Sequence, residues 1–307
     1  MQIIKLSMAL LLFACISLFG AEETTRRFGD VEKIGNRVIS ERDSGILPVD
    51  KEVTIGDTFA SEFETSVRLV SDPSATEMIN RIGQNLATHS DLNTAFHFKI
   101  LDTDGMDVLA FLGGRIYINK GIIMTAGNEA ELAGAMAHGI AHIAARHSAR
   151  LMDREMGFHV QVIRGIIDWH WSSLAPVRVA PPGLRELESV AETKLEFEGE
   201  ADQLAVQYLW NTGYDPNAYI ALLRKLMQRE KELSGRKTQF MAVMPDTRDR
   251  IAASDRELNQ LPKKEHYVLN TSEFDSVKAK LQAIDDTQKS DALPTSEQKR
   301  PILKREQ

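Results

Sequence analysis

The sequence predicts an α+β fold that is mostly helical, with a small β-sheet beside one central helix. Several long segments repeat apolar residues at helical spacing, one short segment alternates apolar and polar residues, and two strand-like segments flank a glycine pair. Hydrophobic residues make up 43% of the 307 residues, which is enough for a packed core. The formal net charge is −7 and no basic stripe stands out, so nucleic acid is not an expected partner.

The first 21 residues have the pattern of a secretory signal peptide. Lys5 precedes an apolar run over residues 6–19, and the small residues after this run place the expected cleavage near Ala21. The pattern predicts export to the periplasm or cell envelope, with no transmembrane domain in the mature chain. An uncleaved signal anchor and a lipid anchor at Cys15, the single cysteine of the chain, are the alternatives.

The next segments predict an extension followed by the start of a domain. Residues 22–55 are polar and mixed in charge without a clear period, which indicates an N-terminal extension. Residues 56–90 show helical spacing, and the domain is expected to run from residue 56 to residue 284. The apolar stripe that carries this expectation consists of Met78, Ile79, Ile82 and Leu86.

The small sheet is predicted from three short segments. Residues 96–102, "FHFKILD", alternate apolar and polar side chains as a half-buried strand does. Two further strands are expected at Val108–Phe111 and Arg115–Ile118, because glycines at 113 and 114 between them break the pattern.

The central helix is predicted next. Asn128 can cap its first turn, and Glu131 three residues later completes a capping-box pattern. Positive charge near a helix C-terminus complements the macrodipole, and arginines recur where the last turns are expected. They are Arg146, Arg150 and Arg154, so one helix is expected from residue 129 to about residue 154.

The remainder of the chain predicts a second long helix and a disordered end. Residues 175–183 contain three prolines and a glycine and are expected to form a loop, after which a helix runs from about 187 to 212. Gly213 is placed to end this helix. Residues 285–307 are charged and lack aromatic residues, which predicts a disordered tail.

Two histidines on the central helix are the first candidates for chemistry. His138 and His142 are four residues apart, so both rings lie on one helix face and can reach the same ion. Two histidines hydrogen-bonded at an ordinary helix–helix contact are the alternative. The rest of this face carries small residues that let another element approach, namely Gly134, Ala135, Ala141, Ala145 and Ala149.

The stretch "LEFEGEAD", residues 195–202, supplies the carboxylates that such a site needs. Glu198 and Asp202 are four residues apart on the second long helix. One can bind a metal while the other orients a ligating histidine. A charged helix face in solvent is the alternative. His147 would lie about 140° from His142 on one continuous helix, so it is expected to lie outside the site.

At this point the chain resembles a known family. "NEAELAGAMAHGIAHIAARH" followed by "EFEGEADQLAVQYLWNTGYDPNA" is similar to the zinc metallopeptidases that include the CAAX prenyl proteases and the HtpX-like membrane peptidases. The resemblance covers about residues 56 to 280, includes the segment "MPDTRDRIAA", and is greatest to the soluble envelope members. It implies a zincin-like metallopeptidase domain that binds one zinc ion per chain and acts on polypeptides.

The resemblance also assigns residues. It implies that His138, His142 and Glu198 are the zinc ligands. Asp202 matches the acidic residue beside them, and Arg250 matches an arginine near the site.

Three catalytic elements depart from the family pattern. The family helix reads His-Glu-x-x-His, and Gly139 stands in place of the glutamate that serves as general base. Asp107, Val108 and Leu109 replace the Asn-Ala-Phe triplet of the strand where a substrate peptide would add. Met244 replaces a family histidine. A general base contributes about a hundred- to ten-thousand-fold to the rate, so the departures predict an impaired or inactive peptidase.

Three functions therefore follow from the sequence. The first is an exported zinc-binding pseudopeptidase that acts on or binds unfolded or envelope polypeptides. The second is an active zinc endopeptidase with another base, for which Glu200 and Asp107 are the candidates. The third is an envelope protein that binds a partner without metal. If the rest of the site is intact, Gly139→Glu is expected to restore part of the activity, and adding Met244→His is expected to restore more.

Overall fold

A computed structural model describes residues 30–37, 39, 47–154, 184–233 and 247–292. Several sequence predictions lie outside these residues: the signal peptide, the lipid anchor at Cys15, the loop at 175–183, Met244 and the end of the tail. The nine α-helices of the described ranges are α1 (Val49–Glu64), α2 (Pro73–Thr88), α3 (Lys120–Thr125), α4 (Glu129–Ala144), α5 (His147–Arg154), α6 (Leu184–Thr212), α7 (Asn217–Leu233), α8 (Thr247–Leu258) and α9 (Ser272–Ala292).

Three strands form the sheet, in the order β1-β3-β2, and confirm the predicted α+β class. They are β1 (His97–Leu101), β2 (Val108–Phe111) and β3 (Arg115–Asn119). The central strand β3 pairs parallel to β1 and antiparallel to β2, with Val108 opposite Ile118. Gly114 has φ of 85°, and a Cβ there would lie 2.2 Å from the carbonyl oxygen of Ala95, so the turn into β3 requires glycine.

The core is built around α4, which packs against α2, α6, α7 and β2. Every residue of α4 is buried except His138 and His142. The predicted cap is present, since the Asn128 side chain accepts a hydrogen bond from the backbone nitrogen of Glu131 at 2.9 Å. The central helix is therefore apolar on nearly all sides and presents two polar rings at a single opening.

The predicted helix over residues 56–90 is wrong in its bounds. Two helices, α1 and α2, occupy this region, and Asp72 caps the second one ahead of Pro73. The first helix starts at Val49, inside the segment predicted to be an extension. Glu52 on this helix is buried against Arg146, so the packed domain begins before residue 56.

The predicted central helix is also wrong at its C-terminal end. Helix α4 ends at Ala144, and Arg146 adopts a φ of 54°, in the left-handed region. A second helix, α5, then begins at His147. The arginine pattern suggested one helix because no glycine marks the break. Instead, Arg146 is held in its conformation by hydrogen bonds from its guanidinium to Glu52 and to the carbonyl of Leu47.

The predicted boundary of the disordered tail at 285 is corrected in the same way. Helix α9 continues to Ala292. The Lys120 ammonium forms an ion pair with Asp285 at 2.6 Å, and Phe274, Val277 and Leu281 are buried on the same helix. A composition rule cannot detect this anchoring because Lys120 lies far away in the sequence. In the described residues, no helix combines the length and apolarity that crossing a membrane requires.

Candidate metal centre

Three side chains converge at the opening beside α4. The Nε2 atoms of His138 and His142 lie 3.0 Å apart, and Glu198 of α6 lies 3.3 Å from the first and 3.5 Å from the second. Donor atoms around a tetrahedral zinc, at about 2.0–2.1 Å from it, are about 3.3 Å from one another. Across the described ranges, this is the one group of His, Cys, Asp or Glu found with ligand atoms mutually within 4.8 Å.

The chemistry of this donor set fits zinc. Two imidazoles and one carboxylate are the ligands of many catalytic zinc sites, which keep a fourth position open. The side chains of both histidines are 16% exposed, so the group is partly open to solvent. Small residues allow this arrangement, since a Cβ on Gly134 would lie 3.0 Å from the Tyr219 side chain of α7. Helix α7 therefore packs closely at the site.

The first histidine is oriented by a buried acid. Nδ1 of His138 lies 3.0 Å from Asp202 Oδ1 and 3.0 Å from the Tyr219 hydroxyl. The Tyr219 hydroxyl in turn donates to Asp202 at 2.5 Å. An ionised carboxylate only accepts, so Nδ1 of His138 carries a hydrogen and Nε2 is the nitrogen that is left to bind a metal.

Arg250 of α8 completes this cluster. Its Nε and NH2 atoms donate to the two oxygens of Asp202 at 2.8 and 2.7 Å. Burial acts to raise the pKa of Asp202, but the charge of Arg250 and the hydrogen bonds hold it at about 2. Both residues lie beside the metal group, as the resemblance implied, and Arg250 NH2 also lies 3.6 Å from Glu198.

The second histidine is oriented through another histidine. Nδ1 of His142 lies 3.0 Å from Nδ1 of His147, and Nε2 of His147 lies 2.9 Å from Glu200. The prediction that His147 lies outside the site is wrong, because it assumed one continuous helix. Burial lowers the pKa of His147, and the hydrogen bond to Glu200 opposes this shift only in part.

The place of the missing general base is partly filled. A Cβ built on Gly139 would lie 2.8 Å from Cγ1 of Val108 on β2 and 3.9 Å from Ile116. Valine is short and stiff, so a side chain at position 139 requires Val108 or the strand to shift. The resemblance implies the smaller alanine at the position of Val108, so Val108→Ala is expected to make room for a glutamate at position 139.

The residues flanking Val108 on the predicted substrate strand have structural partners. The Leu109 side chain is 4% exposed and packs against Phe63 and Tyr117, away from α4. Asp107 precedes β2, and its carboxylate accepts a hydrogen bond from Asn119 at 2.6 Å. Both side chains are therefore engaged within the domain.

The two carboxylates considered as another base are both engaged in hydrogen bonds. Asp107 is bound to Asn119, and burial raises the pKa of its carboxyl. Glu200 accepts from His147 and from Arg150 at 2.9 and 2.5 Å. Burial acts to raise the pKa of Glu200, but these hydrogen bonds hold it at about 2, so the group is a weak base.

Two residues of the site were missed by sequence reasoning. Tyr219 lies in an ordinary amphipathic helix, and nothing in its spacing marks contact with His138. His147 was excluded by its spacing. Arginine does not favour a positive φ, so the residue type at position 146 gave no signal that the helix ends there.

Comparison with known proteins agrees with this geometry. Residues 73–258 match the model of peptidase family M48. The chain is similar to the β-barrel assembly-enhancing protease of Escherichia coli strain K12, with 28% identity over 221 residues, and the match covers 70% of this chain. It is equally similar to the protein of that name from Yersinia pestis, with 28% identity over 221 residues. The chain spans about half of these relatives, since the match covers 45% of each.

Proposed function

Because the chain belongs to peptidase family M48, we propose that it is an exported, zinc-binding peptidase homologue that holds polypeptides of the cell envelope and cleaves them weakly or not at all. One observation carries the proposal: a complete ligand group lies beside a base position that Gly139 leaves empty and Val108 crowds. In this reading metal binding is retained and proton transfer is lost.

The metal in this proposal is one zinc ion per chain, held by His138, His142 and Glu198. When bound, zinc supplies Lewis-acid chemistry, which polarises a carbonyl oxygen and acidifies water. Asp202 and Glu200 add two buried carboxylates, each with a pKa held at about 2, and both stay ionised at neutral pH. Arg250 and Arg150 balance these two charges, which leaves Glu198 as the carboxylate whose charge favours a divalent cation.

The lost step is the transfer of a proton to the leaving amine. A glutamate at position 139 would lie one residue after His138, about 100° around α4 and towards β2. Glycine has no group to accept or return a proton there. Among the described residues, Asp107 and Glu200 are engaged by Asn119, His147 and Arg150, so the proposal gives neither of them the role of base.

An extended polypeptide is the client that this site suits. Strand β2 lies at one end of the three-stranded sheet and next to α4, so a peptide that adds to it would pass the metal group. The backbone hydrogen bonds of strand addition do not depend on sequence, which suits unfolded clients. The relatives are named as β-barrel assembly-enhancing proteases, and we extend this to unfolded β-barrel polypeptides of the envelope as clients.

Export is part of the same proposal. The pattern over residues 1–21, with Lys5 followed by an apolar run, supports it. N-terminal sequencing of the protein isolated from its native cell is expected to begin near residue 22. Recovery of an intact form in the cytoplasm would contradict export.

Four zinc-loaded proteins test the missing base: the wild type, Gly139→Glu, and the Val108→Ala variant combined with either Gly139→Glu or Gly139→Gln. The measurement is cleavage of unfolded casein with and without chelator. We expect the double variant with glutamate at position 139 to cleave about 100-fold faster than the double variant with glutamine there, because only the carboxylate transfers protons. Gly139→Glu alone is expected to gain less, since Val108 obstructs the side chain.

The glutamine variant is the matched control, because it has the same shape without the base. Equal rates of the two double variants, with zinc bound in both, would contradict the proposal that a missing base limits the reaction. Loss of zinc from the wild type itself would instead favour a partner-binding protein without metal.

A further inference from the structure

Two buried side chains, Glu200 and His147, form a hydrogen-bonded line that ends on the candidate ligand His142. Glu200 Oε2 lies 2.9 Å from Nε2 of His147, and Nδ1 of His147 lies 3.0 Å from Nδ1 of His142. His147 is 3% exposed and Glu200 is 4% exposed, so water has little access to either. Buried polar groups in such a line fix where each hydrogen lies.

This line of hydrogen bonds forms because the helix ends after Ala144 and a new helix begins at His147. On a continuous helix His147 would point about 140° away from His142. The left-handed conformation of Arg146, with φ of 54°, instead starts α5 at His147 and returns its ring to the site. The Arg146 Nε donates to Glu52 at 2.6 Å, which holds this turn against α1.

The ring of His147 is fixed by its neighbours on α6. It stacks on Phe197 with ring centroids 4.4 Å apart and an interplanar angle of 5°. Arg150 lies 4.5 Å from the centre of the Phe197 ring and donates to Glu200 at 2.5 Å. The ring therefore has one orientation in which both nitrogens meet a partner.

The hydrogens along the line can be ordered from the acidic end. Glu200 accepts from Arg150 and is ionised, so Nε2 of His147 donates to it. In the neutral ring, Nδ1 of His147 is then an acceptor. Nδ1 of His142 must donate to it, which leaves the lone pair of His142 on Nε2, 3.0 Å from Nε2 of His138. In the metal-free protein this lone pair accepts the hydrogen between the two Nε2 atoms, so His138 carries that hydrogen, and a metal displaces it.

We infer that His147 and Glu200 are positioning residues that select the metal-binding tautomer of His142 and fix the direction of its ring. The inference rests on the proposed metal site and extends it. The two ligating histidines are thus oriented differently: His138 by direct contact with Asp202, and His142 through a second imidazole.

Substitutions separate this role from simple packing. His147→Leu fills similar space but removes the acceptor, and zinc affinity is expected to fall about 10- to 100-fold, as is typical for residues behind a ligating histidine. His147→Asn places an amide oxygen near the position of Nδ1 and is expected to recover most of that loss. His266→Leu is the matched control, since His266 is exposed and its loss is expected to leave zinc affinity unchanged.

Glu200→Leu and Glu200→Gln form a matched pair. One oxygen of Glu200, Oε2, accepts from both Arg150 and His147, so the amide oxygen of glutamine can take its place and keep the hydrogen of His147 on Nε2. Leucine has no acceptor, so the hydrogen of His147 is expected to move to Nδ1 in part of the molecules. That hydrogen points at His142, whose own hydrogen is then expected to move to Nε2, where it blocks the metal.

The experiment combines imidazole nitrogen NMR of the metal-free full chain with competitive zinc titration. We expect His142 to carry its hydrogen on Nδ1 in the wild type and in Glu200→Gln, and partly on Nε2 in Glu200→Leu, with weaker zinc binding in the leucine variant. An unchanged His142 tautomer in Glu200→Leu, or equal zinc affinity of His147→Leu and the wild type, would overturn the inference. A wild type that shows the expected tautomer but binds no zinc would refute the proposed metal site and leave the ordering of hydrogens intact.

Discussion

The two sides of the His138–His142 pair differ in how many polar side chains they carry. The ligand-supporting side, formed by Asp202, Tyr219, Arg250, His147 and Glu200, is a hydrogen-bonded network of buried and partly buried groups. The strand-facing side, formed by Gly139 and Val108, has no polar side chain of its own and a contact too close for an added Cβ. Buried polar groups meet the two histidines on one side, while Gly139 contributes no side chain on the other.

This contrast between the two sides bears on the proposed function of the site. Buried charges are costly unless they are paired, and the ligand-supporting side keeps several of them in place. Glycine in a helix interior costs about 1 kcal/mol relative to alanine, so Gly139 is not favoured by helix formation either. Both features are consistent with a site built to hold a cation and a client rather than to turn over substrate.

The largest expected effect is loss of the metal. His142→Ala or Glu198→Ala removes one of three ligands, and zinc is expected to be lost on dialysis. Zinc content of the purified variants, measured by atomic absorption against His266→Ala, checks this. Zinc content unchanged in both variants would show that the metal group is elsewhere.

Next in size is the effect of removing the buried acid. Asp202→Ala leaves Arg250 without its bidentate partner, and breaking such a buried pair is expected to lower the free energy of unfolding by about 3 kcal/mol. Urea denaturation of the metal-free protein measures it. Glu232→Ala, which breaks an exposed pair with Arg229, is expected to cost less than about 1 kcal/mol. Equal losses in the two variants would mean that the buried pair contributes no more to stability than an exposed pair.

A smaller effect tests the contact on the strand-facing side. In the wild type, Gly139→Ala is expected to lower the free energy of unfolding by about 1 kcal/mol, because overpacking against Val108 outweighs the gain in helix propensity. In a Val108→Ala background the same change is expected to raise it by about 1 kcal/mol. The coupling of about 2 kcal/mol is measured by a double-mutant cycle, and additive effects would mean that the two residues do not contact.

The smallest expected effect is on stability at low pH, and it comes from a residue outside the site. Glu129 at the start of α4 is 0% exposed; burial acts to raise its pKa, but hydrogen bonds from Arg81, Thr271 and Tyr214 lower it overall. A depressed carboxyl pKa contributes stability above its unfolded value of about 4.3, and this is lost as pH falls towards the folded value. Glu129→Gln is therefore expected to lose less stability than the wild type between pH 7 and pH 3 in urea melts. A steeper loss in the variant would contradict the assignment.

The sequence was a good guide wherever local spacing decides the structure. The α+β class, the three strands, the Asn128 cap and the positions of His138, His142 and Glu198 near one another all follow from periodicity, capping chemistry and the family pattern. Helical spacing places two rings on one face whatever surrounds them.

The sequence was a poor guide wherever distant groups decide the structure. The break at Arg146 depends on Glu52, and the end of α9 depends on Lys120, so neither could be read from the local residues. The same is true of Val108, whose contact with Gly139 joins a strand to a helix. These long-range contacts determine how His147 enters the site and how the base position is crowded.

The most direct test is to measure zinc content and casein cleavage on the same sample of wild-type protein. The account predicts close to one zinc per chain, together with cleavage that is absent or very slow and unchanged by chelator within detection. Zinc-dependent cleavage at a typical enzyme rate of about 10 per second, abolished by chelator, would contradict the claim that this site holds metal without a working base.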